Sequence, residues 1–431
     1  MEIIKKINNI KNSRVAKNSI WIISEKIFQM IISLFVNRIV AEYLQPENYG
    51  TLNYVISLVT FFTSLCTLGL DAIIINEIIN KKDKQGEILG TSIFMRLISS
   101  FISTILIIIV ITFLKPGNDT ILVMSILQSL SLFFQAFNTL NIWYQSKLMS
   151  KYTSIIAFIA YIIVAIYKVY IVITNKSLEW FAMYNVLTAL LTAVITMCFY
   201  IKQKGPRLKI NKRIIYPLLK KSYPFILSGL MIAIYGQTDK IMLGSLMPDM
   251  SSVGLYSVAI TITNLWSFIP SAIITSFRPT IISAKLESKE KYIKRLKQLY
   301  SIILWVNILY ALFITIFADI IIKILYGSTY IGAKIPLLLA VWSGGFSYIG
   351  VARDIWFVSE GYQKYSTGIS LAGCLTNVIL NYLMIPRWGI AGAAIATTIT
   401  QIMTGLISTL FFKKTRINTK YVLESFVFKF K

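Results

Sequence analysis

Six basic side chains stand inside long apolar runs of this chain: Lys26, Arg38, Arg96, Lys168, Lys240 and Arg353. Three have an acidic neighbour, as Glu25–Lys26, Asp239–Lys240 and Arg353–Asp354. A charge at the centre of a bilayer costs roughly 2.5–3.5 kcal/mol even on lenient insertion scales, so such residues face other helices, wet cavities or the interface. The chemistry open to them is binding. Ammonium and guanidinium groups hold phosphate without a covalent step. A carboxylate in a low-dielectric site can take up a proton near neutral pH, or can ligand Na⁺ together with nearby oxygens. Glu25 and Asp239 are the candidates for that role, and their plainer fate is to neutralise basic residues on neighbouring helices. Neighbours in sequence point about 100° apart on a helix and do not face one another. The three acid–base pairs are therefore expected to reach groups on other helices or in a cavity. Arg353–Asp354 reads equally well as a wet pair at the end of its span.

The first of these charged runs, Asn18–Tyr43, is long enough to cross a bilayer. Glu25, Gln29, Ser33 and Asn37 recur at every fourth position and share one stripe of a helix, with Lys26 at its flank. Four polar positions in register predict a cavity-facing helix. Arg38 taken alone reads as a side chain that snorkels to the outer interface.

Other chemistries find little support. Histidine, the usual general base and the commonest metal ligand, is missing from all 431 residues. The three cysteines, Cys66, Cys198 and Cys374, fall in apolar runs and are expected to be free thiols. No GxGxxG, P-loop, nucleophile elbow or metal-ligand cluster stands out, so an enzyme is not expected.

The elements that carry these residues are membrane spans. The chain is 56% hydrophobic with a mean hydropathy of +0.69, far from soluble-domain values. Twelve spans are predicted, near 19–43, 50–70, 90–114, 120–140, 153–174, 179–201, 222–243, 253–277, 300–322, 335–357, 366–385 and 389–412. The loops and tails on the side of the N-terminus hold 32 Lys and Arg; the opposite side holds 5. Both termini are therefore expected in the cytoplasm. The net charge of +25 follows from this sidedness and from attraction to anionic headgroups, and no nucleic-acid partner is expected. Residues 1–17 read as an amphipathic helix on the inner surface, and Asp71–Leu89 and Arg278–Leu299 as interfacial helices. No cleavable signal is expected.

Two internal matches divide the chain. Asn141–Thr153 aligns without a gap on Asp354–Ser366, with Ile142/Ile355, Trp143/Trp356, Ser146/Ser359, Lys151/Lys364 and Tyr152/Tyr365 coincident. Arg38 and Leu44–Glu47 align on Lys240 and Leu246–Asp249, and a glycine then opens the next span in each, Gly50 and Gly254. The basic linker Lys202–Lys221, with Gly205 and Pro206, joins the halves. The expectation is two six-helix lobes, 1–208 and 209–431. An even number of spans per lobe gives them the same orientation, about a pseudo-two-fold axis along the membrane normal. Three further features receive structural readings. Gly389 and Ala393 suit close helix packing. Tyr161, Tyr167 and Tyr170 anchor interfaces or fill a core. Pro224 and Pro270 kink or break their spans.

With those residues in place, the sequence resembles a family. NSIWIISEKIFQMIISLFVNRIVAEYLQPENYGTLNY, GLDAIIINEI, DKIMLGSLMPDMSSVGLYSVAITITNLWSFIPSAI and NVILNYLMIPRWGIAGAAIAT are similar to the polysaccharide repeat-unit flippases (Wzx type) of the MATE-related MOP superfamily. The resemblance covers essentially the whole chain. It implies an all-α, MATE-like integral membrane fold whose two lobes enclose a cavity of alternating access. It implies a cargo, an undecaprenyl-diphosphate-linked oligosaccharide moved across the bacterial cytoplasmic membrane for O-antigen, capsule or exopolysaccharide assembly. Polysaccharide polymerase and chain-length proteins are the implied partners beside membrane lipids. No cofactor is implied beyond coupling to a Na⁺ or H⁺ gradient, for which Glu25 and Asp239 are the candidates. Lys26, Arg38, Arg96 and Lys240, with Arg353 and Lys168 behind them, are the candidate cavity charges for the diphosphate. The alternative is a MATE-type multidrug or cation antiporter, which would want an acidic cavity.

Overall fold

Gln45 divides the first helix. In the computed structural model, which describes residues 14–427, α1 (Arg14–Thr67) runs through two spans with a break at Gln45 (φ 57, ψ 169). Pro46 follows, and a missing N–H is harmless in the first turn of the new helical run. The chain continues through α2 (Asp71–Asn80), α3 (Gln85–Leu114), α4 (Asp119–Gln135), α5 (Thr139–Ser146), α6 (Ser150–Ile173) and α7 (Leu178–Lys202). After the linker come α8 (Ile215–Leu246), α9 (Ser251–Asn264), α10 (Phe268–Glu287) and α11 (Lys289–Tyr326). The last three are α12 (Lys334–Glu360), α13 (Gln363–Gly405) and α14 (Arg416–Phe426). The described residues contain no strand.

Nine stretches of the described residues are long and apolar enough to cross a membrane. Two of them contain a break, at Gln45 and at Gly389 (φ 53, ψ −132) in α13. Helix α8, which is not among the nine, occupies the seventh predicted span. The twelve predicted spans thus have their helices, and the chain is a multi-pass membrane protein. Gly389 differs from its predicted part. It supplies the break, a positive φ that costs glycine little, and the close packing falls to Gly392, where a Cβ would overlap the Met384 carbonyl. The eighth span is two helices joined through Leu265–Ser267, with Pro270 in the first turn of α10. The interfacial helix predicted over Asp71–Leu89 is α2 followed by a short 3-10 turn, Lys82–Lys84. The second one, Arg278–Leu299, forms no separate element. Helix α10 ends at Glu287, and Ser288 caps α11 by accepting from the Lys291 N–H at 3.2 Å. Of the amphipathic helix predicted for residues 1–17, residues 1–13 lie outside the described ones.

Two compact units result, one of residues up to Leu44 with Val55–Ala233, the other of Gln45–Tyr54 with the chain from Ile234 onward. The division falls at 233/234, inside α8, and not at the 208/209 linker. Local contacts explain the difference. The linker is strapped to the first unit: Lys209 N–H donates to Gly86 O at 3.1 Å, Asn211 Nδ2 to Glu87 Oε2 at 2.8 Å and Asn211 N–H to Thr91 Oγ1 at 2.9 Å. Farther on, the Lys221 ammonium pairs with Glu77 of α2. Within the second unit, the Glu47 carboxylate caps the start of α9, accepting from Met250 N–H at 3.0 Å and from Ser251 N–H and Oγ, each at 2.7 Å. The backbones touch there reciprocally. A Cβ on Gly50 would overlap the Met250 carbonyl, and one on Gly254 would overlap the Pro46 carbonyl. These residues adjoin or belong to the second internal match.

The first match marks the cores. Trp143 and Trp356 are 2% and 3% exposed, each in a buried apolar cluster of its own unit. Trp143 lies 5.0 Å from the rings of Tyr144 and Tyr200, and Trp356 lies 5.5 Å from Tyr362. In the second unit α12 packs on α11 and α13, and α14 folds back on α11. There Lys297 Nζ meets Glu424 Oε2 at 2.6 Å, and Asn418 Nδ2 donates to Tyr300 Oη at 2.7 Å.

Candidate functional site

Asp239 is the most heavily engaged charged group in the spans of the second unit. Helix α8 places it among α9 and both halves of α13, where it is 8% exposed. Oδ1 accepts from Asn381 Nδ2 at 2.7 Å, and Oδ2 accepts from Thr397 Oγ1 at 2.6 Å and from the Tyr256 hydroxyl. Asn381 Nδ2 also donates to Asn377 Oδ1 at 3.1 Å, and Asn377 Nδ2 to Thr397 Oγ1 at 3.3 Å. Asn377 and Asn381 are one helical turn apart on α13 and so share a face. Thr397 lies beyond the break at Gly389. A buried carboxylate survives only where donors replace water, and this one has three.

The same site opens on a cavity of ≈ 170 Å³ lined by Asp239, Lys240, Tyr256 and Thr397, with Tyr235 and Gln401 beside them. Buried acceptors remain unused: Asn381 Oδ1 and the Tyr235 hydroxyl have no hydrogen-bond partner among the described residues. A carboxylate ringed by amide and hydroxyl oxygens can hold a proton or a hard cation, which takes oxygen ligands. The adjacent ammonium of Lys240 can hold an anion. The described residues contain no cluster of three acids, cysteines or histidines fit for a metal.

The other candidate residues are dispersed. Glu25 and Lys26 meet each other, Nζ to Oε1 at 3.5 Å, and both touch Gln29, at 3.2 and 3.4 Å. Long flexible side chains thus close the 100° gap that separates their Cβ atoms, and the pair meets itself and Gln29 where groups on other helices or in a cavity were expected. Lys26 is 59% exposed and Glu25 12%. Arg38 is half-exposed and pairs with Glu42, one turn on, at 3.0 Å. Arg96 is 3% exposed, donating to Asp71 Oδ1 at 2.5 Å and to Thr139 Oγ1 at 3.1 Å, which ties α3 to α2 and α5. Arg353 is buried at 4%, donates to the Thr404 carbonyl, lies 4.8 Å over Phe357 and sits 3.9 Å from Asp354. Arg96 and Arg353 are thus packed, helix-tying groups. Lys168 sits 3.8 Å over the Tyr184 ring. In the second unit the structure brings Asp239 and Lys240 to one cavity and leaves Arg353 apart. Asn377, Asn381 and Thr397 escaped the sequence reading, although two asparagines one turn apart in a predicted span were a usable signal.

Comparisons with known proteins fit this geometry. Residues 15–285 match the family described as polysaccharide biosynthesis protein, and residues 224–383 match the MatE family. A curated relative, "Probable flippase AglR" of Haloferax volcanii, is 28% identical over 193 residues, covering 40% of this chain and 37% of that protein, well under two thirds of its length. Among solved structures, an inward-facing multidrug resistance MATE family transporter of the MOP superfamily superposes with a TM-score of 0.73 at 14% identity, over 92% of this chain and 96% of that one. The lipid II flippase MurJ in an inward closed conformation gives 0.68 at 16% identity, over 95% and 91%. These likenesses place the fold among MATE-like membrane proteins.

Proposed function

Because the chain belongs to the polysaccharide biosynthesis protein family, we propose that it is a MOP-superfamily flippase that moves a polyprenyl-diphosphate-linked oligosaccharide across the bacterial cytoplasmic membrane by alternating access. What carries this reading is the family match over residues 15–285. Lys240 adds an anion-binding group in a cavity lined by residues of the predicted spans, suited to a diphosphate whose sugars must avoid hydrocarbon while its tail stays in lipid. Both termini lie in the cytoplasm in this scheme, and polymerase and chain-length proteins take up the product. Asp239, with Asn377, Asn381 and Thr397, holds the coupling proton or Na⁺, and Glu25 is the second candidate.

A cation antiporter of MATE type is the competing reading, favoured by the MatE match over residues 224–383, which includes Asp239, Tyr256, Asn377 and Asn381 and stops short of Thr397. The two part in the host cell. Deleting the gene is expected to abolish surface polysaccharide and to accumulate lipid-linked repeat units. Normal polysaccharide with lost resistance to cationic drugs would replace the flippase by the antiporter.

A further inference from the structure

The first unit holds a second, larger cavity that no candidate charge enters. It is a cleft of ≈ 380 Å³ between the second half of α1, α4 and α7, within the range of roughly 300–1,000 Å³ usual for small-molecule sites. Its walls carry Thr63, Gln128, Asn138, Tyr184, Asn185 and Thr188, and among the described residues no Asp, Glu, Lys or Arg lines it. The lining residues of α1 and α7 fall in the middle of their spans, where hydrocarbon would leave amides and hydroxyls unsatisfied. Gln128 is 1% exposed, and its Oε1 has no partner. The Thr188 hydroxyl donates to the Tyr184 carbonyl at 2.7 Å, which leaves its oxygen as an acceptor facing no competing charge. Tyr184 is held by the Lys168 ammonium, 3.8 Å from its ring centroid, and so offers a fixed aromatic edge.

The composition selects the ligand class. An anion wants cationic donors, a cation wants carboxylates, and a drug-like molecule wants a mostly apolar or aromatic wall. A wall on which neutral amides and hydroxyls, donors and acceptors mixed, alternate with Ile56, Val59 and Ala189 matches a neutral polyhydroxylated ring, whose hydroxyls donate and accept and whose C–H faces are apolar. We propose that this cleft is the subsite for a neutral sugar of the cargo, a hexose or N-acetylhexosamine. The proposal rests on the flippase reading above and divides the labour: sugar in the first unit's cleft, diphosphate at basic groups elsewhere.

Purified protein in lipid nanodiscs tests it by equilibrium binding of two probes, polyprenyl diphosphate alone and polyprenyl diphosphate bearing one hexose or one N-acetylhexosamine. The wild type is expected to bind a glycosylated probe about tenfold more tightly than the bare one, the factor that a neutral hydrogen bond of about 1.4 kcal/mol gives. Gln128→Leu and Asn185→Leu, which replace an amide by an alkyl group of similar volume, are expected to lose that gain and to keep the affinity for the bare probe. Where either variant fails to give monodisperse protein, Thr192→Val on the same wall carries the comparison. If neither sugar adds affinity in the wild type, or if the variants keep the gain, the cleft holds water or lipid only and the proposal is overturned while the flippase reading stands. If the wild type binds neither probe, the flippase reading itself falls and takes the subsite with it.

Discussion

Asp239→Asn separates a cation-coupling carboxylate from a merely structural one. The carboxylate accepts three hydrogen bonds, from Asn381, Thr397 and Tyr256. Bonds to a charged group contribute about 1.5–3 kcal/mol each and neutral ones about 0.5–1.5, so exchanging three loses roughly 3 kcal/mol. Against this, the buried charge carries a desolvation penalty of several kcal/mol, which the amide does not. The amide also fits. Its Oδ1 can keep the Asn381 donor, while its Nδ2 donates to the Thr397 and Tyr256 oxygens once those hydroxyls rotate. The two effects nearly cancel, so the variant is expected to unfold in detergent within a few degrees of wild type. Ligand response is where it differs. A cation that binds only the folded protein adds RT ln(1 + [L]/Kd), about 2.7 kcal/mol at a hundred times Kd. The unfolding temperature followed by tryptophan fluorescence should therefore rise for wild type when choline chloride is replaced by NaCl, and stay unchanged for Asp239→Asn. In vesicles, the variant should lose the response of transport to an imposed Na⁺ or pH gradient. A variant that keeps the full wild-type response would remove Asp239 from coupling.

Three further outcomes are expected. Gly50→Ala or Gly254→Ala forces apart the backbones that meet at Met250 and Pro46, so each should lower the unfolding temperature by the equivalent of about 1–3 kcal/mol for overpacking; an unchanged melt would refute the close approach. Arg96→Met should chiefly reduce the amount of folded protein, because Asp71 and Thr139 lose their shared donor, whereas Lys240→Ala should leave that amount near wild type, as immunoblots of membranes can show. Glu77, held by Lys221 and then Lys81, has its carboxyl pushed below the ordinary value. A depressed carboxylate stabilises the folded protein above its unfolded pKa of about 4.3 and loses this as pH falls through the folded value. Glu77→Gln should therefore flatten the acid limb of the stability–pH curve, by no more than about 1 kcal/mol for a partly exposed pair, and an unaltered limb would contradict the strap.

The spans and their number were legible because an apolar run of about 20 residues has few other uses. The repeated Trp143 and Trp356 marked two related halves, and the structure buries each of them in an apolar cluster of its own unit, a use of the repeat that the sequence did not announce. Boundaries inside helices were less legible. Nothing in the local sequence of α8 announces that its first half packs with one unit and its second half with the other, because both halves are equally good helix. The linker's Gly205 and Pro206 marked a turn correctly, yet the hydrogen bonds of Lys209 and Asn211 to α3 and its flank are tertiary facts. At the site, charge was visible and partnership was not. Arg96 and Arg353 looked like Lys240 in sequence, but their guanidinium groups tie neighbouring helices, through Asp71 and Thr139 and through the Thr404 carbonyl. Of the neutral residues that complete the Asp239 cluster, Thr397 was hidden by its ordinariness, since single Thr residues are common in membrane helices, whereas Asn377 and Asn381, one turn apart, were a signal left unread.

Transbilayer movement of the lipid itself is the most direct measurement. Vesicles carrying the purified protein and a polyprenyl-diphosphate-linked oligosaccharide are mixed with an impermeant glycosidase, and the fraction of sugar reached is followed in time. Wild type should expose the inner-leaflet pool well above the rate of protein-free vesicles. Lys240→Ala should slow this roughly ten- to a hundred-fold, as the loss of one charge-assisted phosphate contact of about 1.5–3 kcal/mol implies, and Lys240→Arg should retain more of the rate. No movement above protein-free vesicles, together with gradient-driven uptake of a cationic dye, would contradict the flippase assignment.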